Sequence, residues 1–333
     1  MSTRDATARP LWKTVLWALH ALLRFLLILW LLIYAWSKLF LVQMGRLDYS
    51  DAPYTVGEKS PMGLLWTFMA YSPVIQFLAG LVELVVILLL VFRRTAWLGG
   101  LVGVVVMGTT FLLNLVYDVP VKQMLLVGTI GLALVALPEL PRVARFVLGR
   151  STAGTAGSPP LLPWPRVRAV TRWVLPALGL LIVVSGAGLP LFLPLPERSE
   201  LALPGAYRVV ADTSPPAAQL TDDTRWQTIA FGQWGSNGGG QVTIRQANGD
   251  LTEGSYRPVR DGVVEVTAFP VLAGDRTFLR EPERTFELTW VARPDGTVTL
   301  RGDGRDLVLA SDPELRYLLD RDFSWAPRVP VNR

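Results

Sequence analysis

The 333-residue chain contains no cysteine and only one histidine, His20. Without thiolates it has no disulfide, no Cys-ligated iron–sulfur cluster and no covalently attached c-type haem. One histidine cannot supply both axial ligands of a bis-histidine haem. Because it lies near the N-terminus, Ser/His and Cys/His nucleophile pairs are excluded from the region after residue 196. We therefore predict no covalent cofactor, no metal site and no self-sufficient catalytic constellation.

Charge is also scarce, at 18% of residues against 51% hydrophobic, and the mean hydropathy is +0.37. Soluble domains carry roughly a quarter charged residues, so this composition favours a membrane protein. The formal net charge is +5. The arginines flank apolar segments instead of forming a basic patch with interleaved aromatics, which argues against nucleic-acid binding.

Five apolar segments before residue 196 predict a membrane α-helical bundle. The first four spans, at about 15–42, 73–92, 96–117 and 121–137, are accompanied by an interfacial segment at 61–72. Pro176 and Gly186 interrupt the fifth segment, which makes it the weakest span. The predicted divisions are a cytoplasmic tail (1–14), a four-helix membrane domain (15–148), a basic flexible linker (149–172), a fifth transmembrane helix (173–195) and a β-rich soluble domain (199–333).

Basic residues lie on alternate connections between the spans. They are Arg4, Arg9 and Lys13 before the first, Arg93 and Arg94 after the second, and Arg142, Arg145, Arg150, Arg166, Arg168 and Arg172 after the fourth. The positive-inside rule then predicts a cytoplasmic N-terminus, and our interpretation is a multi-pass protein of a bacterial inner (plasma) membrane. Five spans make the C-terminal domain extracytoplasmic; if the fifth segment does not span, that domain is cytoplasmic.

From residue 199 the pattern changes to short strands and tight turns, which predicts an antiparallel all-β domain, a small barrel or sandwich. Phe286, Leu288 and Trp290 alternate with polar residues and share one face. We expect Trp226, Trp234, Trp290 and Trp325 to lie in the core. The predicted strands are 226–231, 241–246, 254–259, 263–269, 284–292, 297–301 and 306–310, and the turn dipeptides are Asn248-Gly249, Asp261-Gly262, Asp295-Gly296 and Asp303-Gly304.

Two charges share a predicted depth in the membrane. Arg24 lies about 16 Å beyond Lys13, and Glu83 lies about 15 Å before Arg93, at 1.5 Å per residue. An ion pair would make both charges tolerable in hydrocarbon, and His20 lies one turn from Arg24 on the same helix face. We expect an intramembrane charge cluster of His20, Arg24 and Glu83. It either fixes helix register or takes part in proton-coupled transport.

A second polar group lies toward the outer surface. Lys and amide donors there can bind a polar headgroup such as that of a quinone or a lipid. The alternative is that these are ordinary interfacial residues, with their lysines extended to the headgroups. The predicted headgroup-binding residues are Tyr34, Lys38, Gln43, Asn114, Asp118 and Lys122, with Gln76, Tyr117 and Gln123 nearby.

Residues 20–148 resemble the DoxX-like integral membrane proteins. The resemblance is carried by Leu65 to Phe92 with its WTFM segment, by Arg93-Arg94-Thr95, by the YDVPVK turn at 117–122, and by YAWSKLF at 34–40 with Gln43. It implies a four-helix membrane unit, and some members are associated with thiosulfate:quinone oxidoreductase or other redox complexes. This chain lacks the Cys, haem ligands and nucleotide fingerprint of a self-sufficient oxidoreductase. The resemblance does not extend to the β-rich half.

Three functional hypotheses remain open. The first is an accessory or quinone-linked subunit of a membrane redox system, with redox-complex subunits and membrane lipid as partners. The second is a non-enzymatic membrane anchor that presents the β domain to a partner or lipid. The third is proton-coupled transport through His20, Arg24 and Glu83.

Overall fold

The computed structural model describes residues 11–151, 165–193, 195–271, 284–321 and 324–329. The chain divides into two compact units. A helical unit comprises Met1–Gly45 and Ser60–Leu193, and a barrel unit comprises Arg46–Lys59 and Pro194–Arg333. The predicted combination of apolar helices followed by an antiparallel β domain is confirmed. Arg4, Arg9 and most of the predicted linker lie outside the described residues.

The helical unit contains seven described α-helices. Five helical segments are long and apolar enough to cross a membrane, including one that joins the fourth-span helix to the short helix after it. Their predicted positions are confirmed to within a few residues for the first four. The helices are α1 (Leu11–Leu39), α2 (Pro61–Tyr71), α3 (Pro73–Val91), α4 (Ala96–Val116), α5 (Lys122–Ala136), α6 (Leu140–Val147) and α7 (Pro165–Ser185).

Serine caps and prolines set where α2 and α3 begin. Ser60 accepts a hydrogen bond from the Gly63 N–H at 3.0 Å, and Ser72 accepts one from the Ile75 N–H at 3.4 Å. In both helices the residue after the serine is proline, whose fixed φ suits the first helical position. A separate helix before the second span was predicted at 61–72, and α2 confirms that it is a helix.

Small residues allow the helices to approach one another closely. A Cβ on Gly80 would lie 2.8 Å from the Ala35 carbonyl oxygen of α1, and one on Gly100 would lie 2.8 Å from the Leu132 carbonyl oxygen of α5. Helices in a membrane pack by close backbone approach of this kind, because the hydrophobic effect does not drive them together within lipid.

The fifth segment differs from the prediction at both ends. Helix α7 begins at Pro165, within the residues predicted as linker, and continues through Pro176 to Ser185, followed by a 3-10 helix at Gly186–Leu191. The Trp36 indole N–H of α1 donates to the Val183 carbonyl at 3.0 Å. A single proline therefore does not break this helix, and its apolar part extends over Ala169–Leu191.

The barrel unit is built on a closed, fully antiparallel barrel of eight strands in the order β10-β2-β3-β5-β6-β7-β8-β9. All seven predicted strands are present, and the four predicted turn glycines have positive φ. β2 was not predicted. The strands are β1 (Glu197–Arg198), β2 (Gly205–Asp212), β3 (Trp226–Phe231), β4 (Trp234–Gly235), β5 (Gly240–Gln246), β6 (Leu251–Arg260), β7 (Val263–Val271), β8 (Arg284–Ala292), β9 (Val298–Gly302) and β10 (Arg305–Ser311).

Large apolar side chains fill the barrel. Phe231 and Leu288 are fully buried, and Phe286 and Trp290 pack against the same cluster from its edge. Trp226 is buried as predicted. Trp234 is only half-buried, and Trp325 is 95% exposed, so the expectation that all four tryptophans form the core is wrong for these two.

The segment Arg46–Lys59 is the main departure from the predicted division of the chain. It connects α1 to α2 and was assigned to the membrane domain. In the structure it belongs to the barrel unit, where its 3-10 turn at Tyr49–Asp51 packs against β2, β3 and β5. A second 3-10 turn covers Val56–Glu58. We call these fourteen residues, 46–59, the α1–α2 segment.

Candidate functional site: a buried ion pair and a docked segment

The main polar feature of the helical unit is an ion pair between Lys38 of α1 and Glu83 of α3. The Lys38 Nζ lies 2.8 Å from both Oε1 and Oε2 of Glu83. Both residues are buried, at 5% and 2% exposure. Gly80, one turn before Glu83, lies against Lys38 Cβ, so the lysine side chain extends along α3 for one turn to reach the carboxylate. The Tyr34 ring lies 5.5 Å from the ammonium.

This pairing corrects the predicted one between Arg24 and Glu83. Arg24 lies instead in the electrostatic field of Arg93, the residue that marks the end of α3. The prediction measured depth from Lys13. In the structure Lys38, fourteen residues after Arg24, lies beside Glu83, so Arg24 is about 21 Å along α1 from that level at 1.5 Å per residue. His20 interacts electrostatically with Arg24 and contacts the Val135 carbonyl oxygen at 3.1 Å. Among the described residues, neither His20 nor Arg24 pairs with Glu83.

The predicted headgroup-binding residues do not converge on one site. The Lys38 ammonium is bound to Glu83, so it does not extend to the headgroups. Lys122 pairs with Asp118, four residues earlier on the chain, and Asn114 donates to the Thr110 carbonyl of its own helix at 2.7 Å. Gln43 accepts from the Ser37 hydroxyl at 3.2 Å. Of the six, Tyr34 lies beside Lys38 and Asp118 lies beside Lys122.

Gln76 of α3 fixes the chain just after α1. Its side chain is completely buried. Its Oε1 accepts from the Met44 N–H at 3.1 Å, and its Nε2 donates to the Gly45 carbonyl at 3.0 Å. Both polar ends of the amide are therefore satisfied, and the helical unit holds the last two residues before the α1–α2 segment.

The α1–α2 segment is held in the barrel unit by Asp48. Its Oδ1 accepts from the Gln233 N–H at 2.8 Å, and its Oδ2 accepts from the Trp234 N–H at 3.1 Å. The Tyr49 N–H is a third donor, at 2.7 Å. Burial raises the pKa of the Asp48 carboxyl, while these N–H groups act in the opposite direction by favouring the ionised form.

Glu58 provides the second attachment, to Arg245 of β5. The guanidinium binds the carboxylate through two parallel bonds, from NH1 to Oε1 at 3.0 Å and from NH2 to Oε2 at 2.6 Å. Its Nε also donates to the Pro53 carbonyl at 3.0 Å. The Arg245 hydrogen bonds lower the pKa of Glu58 to about 2. Bidentate Arg–carboxylate pairs of this kind are both strong and directional.

Two aromatic contacts complete the attachment. The Arg46 guanidinium lies 4.7 Å from the Trp234 ring centroid, and Arg316 lies 5.2 Å from that of Tyr49. Both distances are in the range of cation–π attraction. The half-buried position of Trp234 follows from this role, since one face of its ring supports an arginine.

Asp48, Glu58 and Arg245 were not among the predicted site residues. A local signal was present, because Asp48-x-x-Asp51 and Thr55-x-x-Glu58 have capping-box spacing, and both boxes form. That signal predicts the turns but not their partners, which are 185 and 187 residues away.

Comparisons with protein-family models, with curated proteins and with solved structures each give no match to this chain. Across the ranges that the structure describes, no group of three or more His, Asp or Glu side chains is placed to hold a metal ion.

Proposed function

We propose that the chain is a five-span protein of the bacterial inner membrane that anchors a β-barrel domain on the extracytoplasmic side and presents it to a partner or lipid. It acts without catalysis of its own. The observation that carries this proposal is that the α1–α2 segment and the barrel strands form one compact unit.

A single unit must lie on one side of any membrane that the helices cross. Four candidate spans separate the α1–α2 segment from the barrel, and α7 contributes the last of them. With 11 residues, α2 is about 17 Å long and does not cross ~30 Å of hydrocarbon. Four crossings return the chain to the side of the membrane on which the α1–α2 segment lies. Three crossings, without α7, would leave the barrel on the opposite side. This parity supports a spanning α7, which was the weakest span in the sequence.

The orientation follows from the charges. Arg93 and Arg94 lie between the second and third spans, and Arg142 and Arg145 lie on α6 at the C-terminal end of the fourth. All are on the face opposite to the α1–α2 segment if each span crosses once. The positive-inside rule makes that face cytoplasmic, so the barrel is extracytoplasmic.

Single engineered cysteines test this topology directly, since the chain has none of its own. In intact cells, a membrane-impermeant maleimide should label Gly57→Cys and Arg293→Cys. It should label Lys13→Cys and Arg94→Cys only after permeabilisation. If only one of Gly57→Cys and Arg293→Cys is labelled in intact cells, the two residues lie on opposite sides of the membrane and the proposal is overturned.

The presenting role is tested with the full chain as bait. A fragment that begins at residue 199 would lack the Asp48 and Glu58 attachments, so its failure to bind would say nothing about the barrel. Photo-crosslinking residues placed at exposed strand positions, such as Arg257 and Arg301, should yield a discrete adduct in cells. Crosslinks that form equally at matched positions on α7, such as Leu181, would contradict a barrel-specific partner.

A second candidate is the quinone-linked role that the DoxX-like resemblance implies. It is favoured by the buried polar cluster of Tyr34, Lys38 and Glu83, since polar groups inside a helical membrane bundle usually mark a ligand or ion pathway. Protein extracted in mild detergent should then retain quinone, and Tyr34→Phe should lower its occupancy. Quinone-free protein with unchanged lipid content would count against this role.

A further inference from the structure

The α1–α2 segment is held in the barrel unit as a peptide ligand is held by its receptor. Two acidic side chains ten residues apart make the principal bonds, and an arginine and a tyrosine add stacking contacts. The receptor side consists of the backbone at Gly232–Trp234, the Arg245 guanidinium and the Arg316 side chain. Backbone N–H capture of a carboxylate and Arg capture of an acidic residue are two recurring modes of peptide recognition.

The same two acids also fold the segment. Asp48 caps the turn at Tyr49–Asp51, and Glu58 accepts from the Thr55 N–H at 2.7 Å within its own capping box. The peptide is therefore pre-organised by the groups that dock it, which reduces the ordering entropy that binding must offset.

Gly232 shapes the receptor side. A Cβ at this position would lie 2.5 Å from Asp48 Oδ2 and 3.2 Å from the Gln241 carbonyl oxygen. Its φ is not in the left-handed region, so backbone conformation alone does not require glycine here. The space left by the missing side chain is the space that the Asp48 carboxylate occupies.

We propose that the barrel carries a recognition site for an acidic, turn-forming peptide, formed by Gly232–Trp234 and Arg245, and that residues 46–59 are its resident ligand. This deepens the proposed function, because it names the chemistry that the presented barrel recognises. It requires only that the segment and the barrel lie on the same side of the membrane. Labelling of both Gly57→Cys and Arg293→Cys only after permeabilisation would therefore overturn the proposed orientation but not this inference, and loss of peptide binding would leave the topology unchanged.

The test uses the full-length protein in detergent with recognition sequences for a site-specific protease inserted after Gly45 and after Lys59. After both cuts the segment has no covalent connection to either unit. It should stay with the protein through size-exclusion chromatography. A labelled synthetic peptide of sequence 46–59, added in excess, should replace it. Release of the native segment on cleavage, or failure of the peptide to enter, would overturn the proposal.

Peptide variants separate recognition from simple charge attraction while the protein stays unchanged. Asp48→Asn and Glu58→Gln peptides should each bind at least about tenfold more weakly, since each removes a charge-assisted hydrogen bond. The matched control is Gly57→Ala, whose added Cβ meets nothing within 4 Å, and it should bind like the native sequence. Equal binding by a scrambled peptide of the same composition would also overturn the site.

Receptor variants give an independent readout. Arg245→Gln should release the cut segment, whereas Arg260→Gln, on an exposed ion pair with Glu287 of the same barrel, should retain it. Circular dichroism before cleavage identifies any variant that has lost its strands. If a folded Arg245→Gln protein retains the cut segment as well as Arg260→Gln does, the role assigned to Arg245 is contradicted.

Discussion

Glu83 in the helical unit and Asp48 in the barrel unit are both acids with almost no exposed surface, yet they are stabilised differently. Glu83 faces a lysine ammonium 2.8 Å away, because the backbone N–H groups around it are already used within helices. Asp48 lies at the end of a barrel whose chain leaves two consecutive N–H groups, of Gln233 and Trp234, free to donate to it. The secondary structure around a buried acid thus decides whether its partner is a side chain or the backbone.

The largest effect should come from breaking the helical ion pair. Glu83→Leu or Lys38→Leu alone leaves one buried charge without a partner, and we expect each to lower stability by about 3 to 5 kcal/mol. The double variant should recover most of the loss, since replacing both charges with apolar groups is often nearly neutral. The measurement is the fraction of monodisperse protein after a temperature series in detergent. Additive losses in the double variant would contradict a paired site.

An effect of about 2 kcal/mol is expected from Gly232→Ala, because the new methyl group collides with the Asp48 carboxylate. Gly57→Ala in the docked segment is the control and should change stability little. An engineered cysteine at the buried Ile229 reports barrel opening through its thiol reactivity. Equal thiol reactivity at position 229 in Gly232→Ala and Gly57→Ala would show that docking of the Asp48 carboxylate does not require the absence of a side chain at Gly232.

The acid dependence of the barrel unit provides a smaller effect with a defined sign. Arg245 lowers the pKa of Glu58 from 4.5 to about 2, so folding favours the ionised form. The stabilisation is fully present above pH 4.5 and is lost as the pH falls through 2. Glu58→Gln should therefore be less stable than the native chain at pH 6, and the difference should disappear near pH 2. A stability difference between Glu58→Gln and the native chain that persists at pH 2 would show that it comes from packing and not from the charge of Glu58.

The smallest effect is expected at the exposed pair of Lys122 and Asp118. The Asp118 side chain is 75% exposed, and surface ion pairs contribute about 0 to 1 kcal/mol. Lys122→Gln should match the native chain in the same temperature series that exposes the Glu83 variants. A loss as large as that of the Glu83 variants would contradict the interpretation of this pair as an ordinary surface ion pair.

The sequence predicted the strands well because their limits are local. Asp261-Gly262 and Asp303-Gly304 require turn conformations, and the strands between such turns alternate clearly. β2 was missed because its buried residues Gly205, Ala206 and Tyr207 are adjacent instead of alternating.

The partners of the charged residues could not be predicted in the same way. Depth arithmetic along single helices needs a common reference level, and Lys13 did not provide one for α1. Arg24 and Lys38 are fourteen residues apart, about 21 Å along α1, so only one of them can lie at the level of Glu83, and the packing of α1 on α3 decides which. For Asp48 and Glu58, the partners lie on strands almost two hundred residues later, where neither periodicity nor spacing carries information.

The distance along the chain between Asp48 and Gln233, 185 residues, has a consequence for biosynthesis. At 5 to 20 residues per second the ribosome needs roughly 10 to 40 s to pass from one to the other. During that interval the nascent polypeptide contains both acids but not yet the residues that bind them, Gln233, Trp234 and Arg245. Contacts of such high sequence separation form slowly, so docking should be among the last events of maturation and should complete only after the terminal strands are released.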